Sequence, residues 1–157
     1  MKIHILLLGK TEKQYLISAI DEYLNRLKHY IPVEYKVFPA LKNTKKLSEE
    51  QQKNKEGELI LNNIKSDNFL ILLDEKGKEL SSVSFASFVE KKMIAGTKNL
   101  VFVIGGPYGF SSGVYNRANG KVSLSKMTFS HQMVRLIFVE QLYRVMTIIK
   151  GEPYHHK

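Results

Sequence analysis

The sequence predicts an α/β domain with a mainly parallel sheet and helices on both faces. Three observations carry that expectation. Short apolar runs recur at residues 3–8, 69–73 and 100–104, each strand-length and bounded by polar residues. Stretches of helical period separate them, as in the stripe Leu16, Ile20, Leu24 and Leu27. The run Val101-Phe102-Val103-Ile104 then breaks directly into Gly105, Gly106, Pro107 and Gly109. That is the form of a buried parallel strand leaving the sheet through a glycine-rich loop. In open α/β sheets this edge is where ligands bind.

The elements follow in order. The start, 1–10, has the apolar run of a signal peptide without a small-residue cleavage site, so 3–8 reads as the first strand. Residues 12–29 form a helix with Lys13, Asp21, Arg26 and Lys28 on its outer side. Pro32 blocks its continuation, and 33–38 alternates as a second strand. Lys42, Asn43, Thr44, Lys45 and Lys46 form a basic loop, the one segment expected to be disordered. Ser48 with Gln51 is a capping box that opens a helix to about Ile64. The third strand, 69–73, ends in the polar run Asp74-Glu75-Lys76-Gly77-Lys78. A helix over 84–95 stops at Gly96, and 100–104 is the fourth strand. A short helix, 112–118, a small strand, 122–124, and a last helix, 131–150, complete the chain before a tail that contains Tyr154 and His155. No repeat, linker or second domain interrupts this order, so a single domain over 1–157 is expected.

The net charge is +9, from 24 Lys/Arg against 15 Asp/Glu, an excess that favours polyanions and nucleic acid first. The absence of cysteine removes disulfides, thiolate metal sites and thiol nucleophiles, and it fits a reducing cytoplasm. No apolar run approaches the roughly 18 residues of a membrane span, so no membrane partner is expected. The dinucleotide, Walker A, zinc-protease and nucleophile-elbow motifs are all missing. No acidic pair is arranged as a metal site; neighbours on a strand, such as Asp74 and Glu75, point oppositely. What remains is a site built of loop backbone, which suits a cofactor carrying its own leaving group.

The last helix is apolar on nearly every side, with a narrow polar strip of Glu140, Arg144 and Thr147. Such a helix is buried on both faces, and a homodimer interface is the expected cover. His131 and Arg135 lie off the strip, with Val134, Phe138, Leu142 and Ile149. A cation there needs a partner. Two readings of Arg135 stay open: pairing to interior carboxylates or carbonyls, or aim at an anion in a cleft. His131 is either satisfied locally at the helix start or functional.

Several motifs stand in fixed order: Lys55-Glu56-Gly57-Glu58, Leu73-Asp74-x-x-Gly77-Lys78, Ile104-Gly105-Gly106-x-x-Gly109, Leu124-Ser125-Lys126-Met127-Thr128-Phe129-x-His131-Gln132-Met133-x-Arg135, Glu140-Gln141-x-Tyr143-Arg144 and Tyr154-His155. Along its full length the chain resembles the RlmH family, of the SPOUT class of S-adenosylmethionine-dependent RNA methyltransferases. The resemblance implies N3-methylation of a pseudouridine in 23S ribosomal RNA by a cytoplasmic homodimer acting on the assembled ribosome. It implies a trefoil knot in the C-terminal half. It also implies that Leu73, Gly105, Leu124, Ser125, Lys126, Met127, Thr128 and Phe129 bind S-adenosyl-L-methionine. A side chain at Gly105 should then collide with the cofactor or twist the loop. Ser130 stands where many members have proline; serine can cap the helix instead.

Methyl transfer to N3 needs loss of the N3 proton. His155, from its own tail or across the dimer, and His131 are the candidate general bases. Tyr154 offers a stacking ring for an unstacked base. Arg135 and Arg144 are candidates for RNA phosphate or target-base contacts, with Lys42, Lys45 and Lys46 adding backbone attraction. Two other readings compete: a non-catalytic ribosome-associated RNA-binding protein, and a SPOUT enzyme acting on a different RNA.

Overall fold

A computed structural model describes residues 1–156. Five strands, β1 (Lys2–Leu8), β2 (Val33–Phe38), β3 (Phe69–Glu79), β4 (Asn99–Ile104) and β5 (Gly120–Ser123), form one sheet in the order β2-β1-β4-β3-β5. Every pairing is parallel. The helices are α1 (Gln14–Leu27), α2 (Glu49–Leu61), α3 (Ser82–Ile94), α4 (Ser112–Arg117) and α5 (Met133–Ile149).

The near-continuous apolar runs of β1, β3 and β4 exist because both faces of the sheet are covered. Ile3, Ile5, Leu7, Ile71, Leu100 and Phe102 point to a core shared with α1, α3 and α5. Leu6, Leu70, Leu72, Val101 and Val103 point to a second core under α2 and α4. The capping box is present: Ser48 Oγ accepts from the Gln51 amide, and the Gln51 side chain accepts from the Ser48 amide. The lysine loop, expected to be disordered, holds a 3₁₀ turn at Thr44–Lys46 after a left-handed Asn43. No helix among the described residues is long and apolar enough to cross a membrane.

Two elements depart from the sequence reading. β3 runs past Leu73 to Glu79, because Lys78 and Glu79 pair again with Val122 and Ser123 after a register shift. The residues between them arch out of the ladder. Gly77 makes this possible, since a Cβ there would fall 2.6 Å from the Val122 carbonyl carbon. Gly77→Ala must push two backbones apart. It should cost about 2 kcal/mol, read as a lower urea midpoint at unchanged slope.

The second departure concerns α5. It lies between α1 and α3, against the sheet, so its own chain covers more of it than expected. Thr147, placed on an outward polar strip from sequence, is fully buried and donates its hydroxyl to the Arg144 carbonyl at 2.8 Å. Leu136, Ile137, Glu140, Tyr143 and Arg144 stay half-buried on the outer side.

Candidate active site

A cleft of about 690 Å³ opens at the C-terminal ends of β3, β4 and β5. Three loops wall it: the arch after Leu73, the glycine turn after Ile104, and the segment from Ser123 to His131. Of the residues expected to bind the cofactor, Leu73, Gly105, Leu124, Ser125, Met127, Thr128 and Phe129 line it. Lys126 is exposed and does not. His131 and Val134 close the cleft at the start of α5. Met127, 78% exposed, stands at the rim.

Local bonding shapes each wall. The glycine turn is closed by the Gly109 amide donating to the Gly106 carbonyl at 3.2 Å, with Gly109 at φ +79. The third wall is folded on its own serines: Ser123 Oγ donates to the Ser125 carbonyl, and Ser125 Oγ accepts from the Met127 amide, both at 2.9 Å. Ser130 Oγ accepts from the Met133 amide at 3.1 Å, so serine caps the entry to α5. In the first wall Asp74 accepts from the Tyr115 hydroxyl and, at 2.7 Å, from the Lys76 amide. Burial and the Asp74 carboxylate push the Tyr115 phenol up to about 12, so it stays a donor at neutral pH.

A side chain at Gly105 also meets an obstacle within the chain itself. A Cβ at Gly105 would meet the buried Phe110 ring at 2.9 Å. Glycine at this position therefore answers to the chain's own packing before any ligand. The lining also contains groups that sequence reasoning missed: Glu49, Asp74, Glu75 and Tyr115. Asp74 was within a quoted motif, but its partner Tyr115 lies 41 residues on, a separation no local pattern shows.

Arg135 is not in the cleft. It is 2% exposed, and its guanidinium donates to the carbonyls of Leu8 (2.8 Å), Gly9 (2.9 Å) and His131 (3.0 Å) and to Thr11 Oγ1 (3.0 Å). Burial pulls it below the usual arginine range, yet carbonyl oxygens surround it. The proposed contact of Arg135 with RNA or base is thus replaced by a structural one. Of the two open readings, pairing to interior carbonyls is the one the structure contains.

Residues 1–155 match a family model described as "Predicted SPOUT methyltransferase". The chain belongs to the SPOUT methyltransferase family. It is 60% identical over its full length, and over the relative's full length, to "Ribosomal RNA large subunit methyltransferase H" of Parabacteroides distasonis. Proteins of the same name from Christiangramia forsetii and Flavobacterium johnsoniae are 58% and 57% identical, again over all of both chains.

The tail of this SPOUT methyltransferase is docked, not free. The Tyr154 ring packs edge-on to Tyr143 at 4.7 Å and lies under the Arg144 guanidinium at 4.7 Å. Its hydroxyl donates to Glu140 at 3.0 Å and lies 3.4 Å from the Tyr23 hydroxyl. Burial and these partners push the Tyr154 phenol well above its usual range. Arg144 pairs with Glu140 at 2.6 Å, and its other terminal nitrogen lies 3.5 Å from His155 Nδ1. Tyr154 is therefore already engaged by its own chain, where the sequence suggested a ring waiting for a base. Tyr154, His155 and Arg144 do not line the cleft. Arg144 lies roughly 16 Å along α5 from its first residue, Met133. His131 is the one histidine that lines it. Lys42, Lys45 and Lys46 are exposed in the loop before α2, whose first residue, Glu49, touches the cleft.

Proposed function

We propose that this protein transfers a methyl group from S-adenosyl-L-methionine to N3 of a pseudouridine in 23S ribosomal RNA, on the assembled ribosome in the cytoplasm. The observation that carries the reading is the cleft: the three segments expected to hold the cofactor converge on one cavity of suitable size. Leu73, Leu124 and Met127 offer apolar walls for a purine, and the turns offer backbone donors and acceptors. Glu49, Asp74 and Glu75 line it with a single lysine, Lys76, a balance suited to a cationic ligand. When bound, the cofactor supplies a methyl group activated on a sulfonium. The protein's share is orientation, exclusion of water and acceptance of the N3 proton.

Two groups are candidates for that acceptor: His131, which lines the cleft of its own chain, and His155 of the tail. Tyr154 and His155 do not line the cleft of their own chain, and their proposed place is a partner's cleft in a homodimer. The half-buried apolar side of α5, with Leu136, Ile137 and Tyr143, is the surface proposed to pair. The threading that sets α5 between α1 and α3, after β5 has joined the far edge, is proposed as the trefoil knot. Arg144 and the three loop lysines are proposed to meet RNA.

The deciding experiment has two stages. Calorimetry should show the protein binding S-adenosylmethionine; no binding would favour a non-catalytic RNA-binding role. Ribosomes from a strain lacking the gene should then accept labelled methyl, and mass spectrometry should place it on a pseudouridine of 23S RNA. A methyl found on another RNA would move the protein to the other SPOUT reading. For the dimer, Ile137→Glu should yield monomers or aggregates. Light scattering that finds the unaltered protein monomeric at micromolar concentration would contradict the pairing.

A further inference from the structure

Beneath the glycine turn lies a carboxyl that the reading above does not use. Glu56, on α2, is 7% exposed. Its Oε1 accepts from Gln52 Nε2 at 3.0 Å. Its Oε2 has no hydrogen-bond partner, a condition shared among buried side-chain atoms of the described residues only by the Tyr35 hydroxyl. That oxygen lies against the turn: a Cβ on Gly106 would come within 2.7 Å of Oε2 and 3.1 Å of Oε1. The next residue, Gly57, sits so close to the end of the turn that a Cβ there would fall 2.2 Å from Ser111 Oγ. α2 thus seats the turn at two points, with a carboxyl under one and bare backbone under the other.

The arrangement is costly for its own sake. A buried acceptor without a partner weakens the fold, and leucine or methionine would fill much the same space without that penalty. Burial pushes the Glu56 carboxyl above the usual carboxylate range, opposed only by Gln52. A carboxylate oxygen accepts from a backbone amide, and a protonated carboxyl can also donate to a carbonyl, so Oε2 has a possible partner in the turn in either form. Glu56 is absent from the cleft lining, so any effect on a ligand passes through the turn. Polar groups kept buried at the expense of stability concentrate where function requires them.

We propose that Glu56 is a positioning residue for the methyl-donor site: its unpartnered oxygen takes up a backbone group of the 105–109 turn when the cleft fills, fixing the turn in the shape the cofactor requires. This rests on the reading of the cleft as the S-adenosylmethionine site. The turn and the carboxyl are in contact without a bond. In the filled cleft the bond forms, and the stability withheld from the empty fold returns as affinity.

Glu56→Leu and Glu56→Gln, made in the full chain, test this through opposite signs. Without ligand, Glu56→Leu should melt at or above the temperature of the unaltered protein. Its affinity for S-adenosylmethionine by calorimetry should fall about tenfold or more. The hydrogen-exchange protection that S-adenosylmethionine confers on the amides of 105–109 should be lost with it. Glu56→Gln, which keeps a donor and an acceptor, should restore most of both. If Glu56→Leu binds within twofold of the unaltered protein, the inference is overturned. It is equally overturned if stability and affinity fall together without rescue by glutamine, the pattern of a packing residue. Should the unaltered protein itself bind no S-adenosylmethionine, the reading of the cleft fails first, and the inference with it.

Discussion

Removing residues 154–157 is expected to lower methylation of ribosomes by about a hundredfold or more, the usual scale of a lost general base or positioning group. Affinity for S-adenosylmethionine should stay within twofold, because none of Tyr154, His155 and His156 lines the cleft. Some stability should go as well. Tyr154 covers Tyr143 and caps the Glu140–Arg144 pair, contacts worth about 1 kcal/mol together at a half-exposed site. The informative version mixes two chains. One lacks the tail; the other keeps it but carries Leu124→Arg in the cleft. Each alone should be inactive. Mixed and allowed to exchange subunits, they should recover activity, since some dimers pair an intact cleft with an intact tail from opposite chains. A mixture that stays inactive, with heterodimers verified by mass, would assign the tail to its own chain's site. A tail-less enzyme working at the normal rate would leave proton removal to His131 or solvent.

The largest loss of stability is expected at Arg135. Arg135→Leu strips hydrogen bonds from three carbonyls and one hydroxyl in a place water cannot easily reach. Breaking such a buried arrangement by removing one partner costs about 3 kcal/mol or more. Arg135→Lys should recover little of it, because one ammonium cannot reproduce a planar fork toward several carbonyls. Urea titration reads the effect directly. An Arg135→Leu protein with an unchanged midpoint would refute the structural role. If that protein instead bound RNA more weakly with a shallower salt dependence, Arg135 would return to the RNA surface.

The backbone plan was legible because local signals agreed with each other. Ser48 and Gln51 announce α2 by a mechanism confined to four residues, and the capping box is present as read. The apolar runs of β1 and β4 need only the rule that strands buried on both faces stop alternating. The end of β3 was not legible. Its re-pairing beyond Leu73 depends on β5, more than 40 residues later, and on the missing side chain of Gly77. The apolar girth of α5 was visible, but not what it touches; the sheet, α1 and α3 cover much of it. For the cleft, seven of the eight residues that motif order marked for the cofactor line it, and only Lys126 does not. The side chains that bond across the fold were the hidden part. Tyr154 looked free because nothing near it in sequence shows that Tyr23 and Tyr143 will receive it. Glu56 carried one faint signal, an acidic residue in line with Ile60 at helical spacing, hence on the buried side.

The Arg135 clasp has a consequence for the order in which the molecule is made. It joins the Leu8 carbonyl to a side chain 127 residues later. Contacts of such separation are slow to form, because the intervening chain must be ordered before they repay it. The cleft shares this lateness, since its third wall and its closing residues, His131 and Val134, belong to the last third of the chain. A growing polypeptide therefore has nowhere to hold a methyl donor until synthesis is nearly finished. Once the clasp closes, bound ligand draws the population further into the native state by mass action. Newly made protein should pass from incompetent to competent in one late step, and the donor concentration in the cell should set how firmly that step is held.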